Sequence, residues 1–305
     1  MTDIYEILRG QKDENGNYQK QSVIVQGITG KYGSVHTKLM IEYGTNIVGG
    51  VTPGKGGQKF ENKVPIFENV SEAVAATNAK ISIIFVPAKF FLEAATDALE
   101  SGIKLLVAIP EHVPVRDTMK IIELAKEKNA VMIGPNTPGV IIPDLTKIGI
   151  MPASPYSSGR IAVLSKSGTL LYEISNNLTT AGFGQSITIG IGGDPVNGTR
   201  MIDAFDMIKD DPELDGIVVV GEIGGDAEEI LAQHIIDIGF DKPIVGYIAG
   251  RRAPKEKRMG HAGAIVMGTY GSAESKIAMF AKANIPVAKR PGEVAVLLAG
   301  KMSSQ

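Results

Sequence analysis

No cysteine occurs anywhere in the 305 residues. That excludes disulfides, thiolate nucleophiles, Cys-ligated zinc and iron–sulfur clusters from this chain. Charge imbalance is missing too: 31 Lys and Arg stand against 33 Asp and Glu, a formal net charge of -2. Nothing therefore draws the whole molecule to nucleic acid or to an anionic membrane, and any polyanion site must be local. No apolar run approaches the ~18 to 20 residues a membrane span needs. The opening Met1-Thr2-Asp3-Ile4-Tyr5-Glu6 lacks the basic-then-apolar layout of a signal peptide. A soluble, unprocessed, cytoplasmic chain is expected, and the lack of thiols suits a reducing compartment. Histidine is scarce as well, with four in the chain, so each can be weighed singly.

With 44% hydrophobic and 21% charged residues the composition is that of an ordinary globular protein. A prior of about 150 residues per domain suggests roughly two domains. The stretch 1–21 holds a short apolar-periodic piece, Ile4 to Leu8, and then a polar run from Gln11 to Asn17; it reads as an extension before the fold. From Ser22 onward, β-branched runs bounded by glycine alternate with longer helical patterns, as parallel βαβ units require. Strands are expected at 22–26, 46–51, 81–86, 105–109 and 131–133, with helices at 34–43, 70–77, 90–101 and 115–129 between them. The turn-rich Pro152-Ala153-Ser154-Pro155-Tyr156-Ser157-Ser158-Gly159 marks a boundary. A second set of strands is expected beyond it at 161–164, 186–191, 216–221, 244–248 and 286–288. The fold class is α/β: a Rossmann-like domain over 22–152 and a flavodoxin-like, doubly wound domain over 153–305. Sites are expected beyond the carboxyl ends of the strands.

Gly27-Ile28-Thr29-Gly30-Lys31-Tyr32-Gly33 follows the first of these strands and opens a helix. Glycines there permit a tight turn, and the unpaired N–H groups at the helix start favour a phosphate. An NAD site wants an acid about twenty residues on, but that region reads Val51-Thr52-Pro53-Gly54-Lys55. A lysine suits extra phosphate, so a phosphorylated nucleotide such as CoA fits better. Gly49 to Gly56 nearly matches the Walker pattern, yet its last position is glycine where Mg²⁺ coordination needs a hydroxyl. A P-loop is rejected on that ground, and no ATP motif is evident.

Of the histidines, His36 and His234 lie on helical faces and read as structural or solvent-facing. His112 follows Glu111 just past a strand, with no partner evident for it in the sequence. His261 differs: Gly260-His261-Ala262-Gly263-Ala264 surrounds one imidazole with minimal side chains, after the cationic stretch Arg251 to Arg258. Neutral imidazole is a competent nucleophile near pH 7, its unperturbed pKa being about 6.5. Glu222, in Gly221-Glu222-Ile223-Gly224-Gly225 at a strand end, either accepts a hydrogen bond from an imidazole nitrogen or caps the next helix. Ser165-Lys166-Ser167-Gly168-Thr169 offers hydroxyls and helix-start N–H groups to an anion, or is plain N-capping.

Together these segments resemble the alpha subunit of succinyl-CoA synthetase, from about Ser22 to the C-terminal region. The specific blocks are Gly50 to Gly57, Gly134-Pro135-Asn136, Ser167 to Leu170, Gly190 to Pro195, Gly221 to Gly225 and Arg258 to Ala264. The resemblance implies a CoA site made of Thr29, Gly30, Lys31, Tyr32, Lys55, Ile109, Pro110 and Glu111. It implies a substrate-site tyrosine at Tyr172, a phosphorylated histidine at His261, and an orienting carboxylate at Glu222. Ser167, Gly168 and Thr169 would receive the phosphoryl group, and the loop around Gly260 and Gly263 is expected to move. An ATP-grasp beta subunit, ATP or GTP, Mg²⁺ and succinate complete the implied reaction, in an αβ or α2β2 assembly. Two departures stand out: Thr137 occupies a position where many members carry cysteine, and Pro110 has no N–H to donate. The segment Gln58 to Lys63 also looks longer than usual. A related NDP-forming ligase for malate, citrate or acetate, and a catalytically silent CoA-binding module, are the alternatives. A nicotinamide dehydrogenase is disfavoured by Lys55.

Overall fold

The apolar runs Val23–Gln26, Ile81–Ile84 and Gly216–Glu222, which would be half exposed in an antiparallel sheet, are here buried from end to end, as a sheet covered on both faces demands. The computed structural model describes residues 4–10, 12–253, 260, 261, 263–266 and 271–303. The chain divides into one unit of Met1–Met151 with Val196–Thr199, and another of Pro152–Pro195 with Arg200–Gln305.

In the first unit α1 (Ile4–Arg9) leads to β1 (Val23–Gln26), α2 (Lys31–Tyr43), β2 (Ile47–Val51), β3 (Lys59–Phe60), β4 (Val64–Phe67) and α3 (Val70–Thr77). Then come β5 (Ile81–Ile84), α4 (Phe91–Glu100), β6 (Leu105–Ala108), α5 (Val115–Glu127) and β7 (Val131–Ile133). The sheet order is β3-β4-β2-β1-β5-β6-β7. Only β3 and β4 pair antiparallel; the other pairs are parallel. From β1 the chain winds first toward β2 and then crosses to β5, so β1 is the topological switch point. Ile24, Ile84, Phe91, Leu99, Leu106 and Ile121 belong to its core. Burying four such side chains contributes roughly 6 to 12 kcal/mol before chain entropy is set against it.

The second unit runs β10 (Ser158–Ser165), α6 (Gly168–Thr180), β11 (Gln185–Gly190), α7 (Met201–Asp206), β12 (Gly216–Glu222) and α8 (Ala227–Ile238). It ends with β13 (Ile244–Ala249), α9 (Ala273–Lys282), β14 (Val287–Ala288) and α10 (Val294–Met302). Its parallel strands lie in the order β14-β13-β12-β10-β11. That is the flavodoxin-like winding, with β10 and β12 flanking the switch point.

Several features go beyond the sequence pattern. Residues 1–21 were expected to precede the fold, but Ile4 and Leu8 of α1 are fully buried. The α2 helix starts at Lys31, three residues before the apolar periodicity begins, because Lys31 and Tyr32 are exposed and the buried Gly33 adds no apolar side chain. The short strands β3 and β4 occupy a segment with no apolar alternation long enough to register. Two more strands, β8 (Gly139–Ile142) and β9 (Thr146–Gly149), form an antiparallel hairpin. The Asp144 amide of its turn donates to the Tyr43 hydroxyl at 3.0 Å, and the Thr45 hydroxyl donates to the Lys147 carbonyl at 2.8 Å. Pro143-Asp144 between two β-branched runs was the available signal for this turn.

Candidate active site

At the carboxyl end of β12 the Glu222 carboxylate meets the His261 ring, Oε2 to Nδ1 at 2.8 Å. A carboxylate only accepts, so Nδ1 carries the proton and Nε2 is left with its lone pair. Among the described residues Nε2 has no hydrogen-bond partner. The ring is 30% exposed and rests on Gly193, where any added Cβ would overlap its Cδ2. The hydrogen bond to Glu222 raises the His261 pKa above 6.5; burial opposes this, Glu222 and Asp194 add to it electrostatically, and the Lys166 cation opposes it. Neither Asp194 nor Lys166 was singled out from the sequence. Glu222 is not the cap of the following helix, since Asp226 holds that position. Pro254 to Met259 and Ala262, part of the cationic stretch and of the glycine-flanked loop expected to move, lie outside the described residues.

On the neighbouring strand β10, the chain turns at Ser167 into α6. The Ser167 hydroxyl accepts from the Leu170 amide at 3.3 Å, and its carbonyl accepts from Leu171. Capping thus uses the side chain, while the Gly168 and Thr169 amides find no acceptor among the described residues. The capping reading holds for the serine, and the next two amides have the geometry that an anion site requires. Tyr172, one turn on, is half-buried, and burial pushes its phenol up to about 12, so it stays a hydrogen-bond donor across the working pH range.

In the first unit, the glycine loop after β1 is held by Gly27 N to Val51 O at 2.8 Å and by Gly30 N to Gly27 O at 2.9 Å. Gly33 is where glycine is needed, because a Cβ would run into the Gly27 carbonyl oxygen. The Thr29 hydroxyl donates to Thr52 at 3.3 Å, tying the loop to the end of β2. Gly30, the N-cap, has no side chain to accept from the first turn of α2, and Lys31 and Tyr32 are exposed. Lys55 is exposed on a loop gripped by Glu68, whose carboxylate accepts from the Gly54 amide at 2.5 Å and the Gly56 amide at 3.2 Å. A cleft of about 580 Å³ opens at the ends of β1, β2 and β5, lined among others by Gln26, Val51, Pro53, Val86, Pro87 and Phe90. The third expected loop contributes less: the Ile109 amide is already given to Ile84 O at 3.2 Å, and Pro110 has none. Its carbonyl accepts from Asn136 instead. Of that trio only Glu111 retains a main-chain donor to offer, and it is exposed. Thr137, at the cysteine position, is buried, and its hydroxyl accepts from the Gly139 amide at 2.9 Å.

The other histidines have ordinary employment. His36 stacks on Phe85 with ring centroids 5.9 Å apart. His234 pairs with Asp206 at 2.8 Å and meets Phe205 edge-on. His112 is exposed, with a positive φ of 61°, and its Nε2 lies 3.8 Å from Glu111.

Residues 18–112 match the CoA binding domain family and residues 164–285 the CoA-ligase family. The chain is 48% identical over 281 residues to succinate–CoA ligase [ADP-forming] subunit alpha 2 of Archaeoglobus fulgidus, covering 92% of this chain and 97% of that protein. To the corresponding alpha subunit of Aquifex aeolicus it is 49% identical over 274 residues, 89% of either chain. ATP citrate lyase from Methanothrix soehngenii, solved with citrate and coenzyme A, shares the fold with a TM-score of 0.84 at 22% identity. That match covers 93% of this chain and 50% of the lyase. No described helix is long and apolar enough to cross a membrane. With nearly half its residues identical to full-length curated alpha subunits, the chain belongs to the succinate–CoA ligase alpha-subunit family.

Proposed function

We propose that this chain is the alpha subunit of an NDP-forming succinate–CoA ligase, with His261 as the carrier of the phosphoryl group. The observation that carries the reading is the Glu222–His261 pair at 2.8 Å, which presents Nε2 as a free nucleophile at the switch point of a doubly wound sheet. Nε2 attacks the terminal phosphorus of the nucleoside triphosphate; the P–N bond forms as the P–O bond breaks, and the diphosphate leaves. Glu222 steadies the positive charge that grows on the ring. A succinate carboxylate oxygen then attacks phosphorus, the P–N bond breaks, and succinyl phosphate is released from the ring. Finally the CoA thiol attacks the acyl carbon, phosphate departs with the thiol proton, and the thioester remains. Free Gly168 and Thr169 amides and the Lys166 cation suit the phosphoryl group. Tyr172 suits the carboxylic acid. The first unit would hold CoA, with the cleft lined by Val86, Pro87 and Phe90 taking an apolar portion and Lys31 and Lys55 meeting phosphates.

The triphosphate and Mg²⁺ belong on the beta subunit in this reading, and the active assembly is a heteromer of alpha and beta chains in the cytoplasm. The units are proposed to act as a CoA-binding domain over 22–152 and a phosphohistidine domain over 153–305. Incubation with the partner subunit and γ-labelled ATP or GTP should place acid-labile, base-stable phosphate on this chain, and addition of succinate and CoA should discharge it. Labelling that persists in His261→Ala would refute the assignment, and CoA binding without any phosphohistidine would indicate a silent binding module. Malate, citrate or acetate supporting faster discharge than succinate would assign the ligase to another acid.

A further inference from the structure

Behind the Glu222–His261 pair lies a cluster of charges of which the reaction above uses Lys166 but not Lys276, Glu228 or Glu229. Lys276 on α9 and Glu228 on α8 are both fully buried. The Lys276 ammonium has three protons and three acceptors: Glu228 Oε2 at 2.5 Å, Glu229 Oε2 at 2.9 Å and the Gly225 carbonyl at 2.9 Å. The other oxygen of Glu228 accepts from the Glu222 backbone amide at 3.1 Å and stands 3.7 Å from Lys166 Nζ. Two cations and two carboxylates therefore balance. The chain bends sharply over 222–225 between them. Gly224 and Gly225 have φ of 94° and 58°, and a Cβ on Gly221 would run into Glu228. Lys276 reaches both ends of that bend, the far end directly and the near end through Glu228.

Buried ion clusters add little net stability, because desolvation offsets most of the attraction. Their dependable effect is geometric, since each partner is fixed by the others. Burial alone would pull the Lys276 pKa down, but Glu228 and Glu229 outweigh it and the net shift is upward, so the ammonium stays charged. A permanently charged, fully satisfied hub is suited to holding a backbone bend in one conformation.

We propose that Lys276 is a positioning residue for phosphoryl transfer: with Glu228 it clamps the 222–225 bend and so holds the Glu222 carboxylate against His261 Nδ1. This rests on His261 being the phosphoryl carrier. The test is a double-mutant cycle in the complex with the partner subunit, comparing Lys276→Met, Glu222→Gln and the double variant. Lys276→Met is expected to lower kcat about tenfold with KM for CoA changed less than twofold, and to have less than a twofold further effect in the Glu222→Gln background. Equal fold losses in both backgrounds would show a merely structural role and overturn the proposal. Should Lys276→Met not fold, Glu228→Gln, which keeps an oxygen for the Glu222 amide but loosens its hold on Lys276, takes its place with a threefold or greater loss that again vanishes beside Glu222→Gln. NMR titration of the His261 ring supplies a readout independent of turnover. The wild-type ring should titrate above 6.5 with its proton on Nδ1, and the variant should fall toward 6.5 with mixed tautomers. An unchanged titration refutes the clamp. Absence of phosphate on wild-type His261 would instead refute the carrier role and leave the titration result standing.

Discussion

Replacing Glu222 by Gln removes one negative charge while keeping the side chain's size, and the structure sets what should follow. A hydrogen bond to a charged group contributes roughly 1.5 to 3 kcal/mol. With His261 as the proposed phosphoryl carrier, that bond serves the attack on phosphorus, because the ring gains positive charge as the P–N bond forms. A Gln oxygen still accepts from Nδ1, so only the charge-assisted part, about 1 to 1.5 kcal/mol, is lost; at about 1.4 kcal/mol per factor of ten, phosphorylation should slow about 5- to 12-fold. The acid limb of the rate should move as well. Glu222 raises the His261 pKa, and the nucleophile is the neutral ring, so in the wild type the rate climbs as pH rises through a value above 6.5. Without Glu222, burial is less opposed and the limb shifts to lower pH. The variant's deficit should therefore be largest in alkali and shrink on acidification. Rapid-quench labelling of the chain with γ-labelled nucleotide between pH 5.5 and 8.5 measures both quantities. A loss under threefold, or an acid limb that does not move, would refute the argument.

Other expectations follow from the same contacts. In thermal unfolding, the Glu222–His261 pair should stabilise the wild type over Glu222→Gln most below pH 6.5, where the ring is charged in both states; the advantage should fade as pH rises through the raised folded pKa. Gly33→Ala should weaken CoA binding and lower stability by about 1 to 3 kcal/mol, because the new methyl displaces the Gly27 carbonyl; calorimetry of CoA binding together with denaturant unfolding would show it, and unchanged affinity would contradict it. Ser167→Ala should lower stability by about 1 kcal/mol through the lost cap on Leu170 and slow phosphoryl transfer only modestly, since the free amides belong to Gly168 and Thr169. A loss as large as that of His261→Ala would mean that the hydroxyl itself acts in the chemistry.

How much of this was legible in the sequence depends on the range of the interaction concerned. The parallel strands β1, β6 and β12 were visible because fully buried strands are unbroken apolar runs, and glycine follows β1 and opens β12. Position along the chain was also enough to suspect His261, alone among minimal side chains, and Glu222 at a strand end. What stayed hidden is tertiary. Glu68 is fourteen residues from Gly54, and Lys276 lies 48 from Glu228 and 51 from Gly225. In sequence these are ordinary charges on amphipathic helices or at a helix start, and nothing in the local pattern distinguishes a buried lysine from a solvated one. The helix period puts Lys276 on the same face as Ala273 and Phe280, both buried. That spacing was the one available hint, since a lysine on a buried face must find anionic partners or lose its charge. The residues proposed to perform chemistry are thus read from local motifs, while those proposed to hold them in place emerge only when the helices α8 and α9 are packed together.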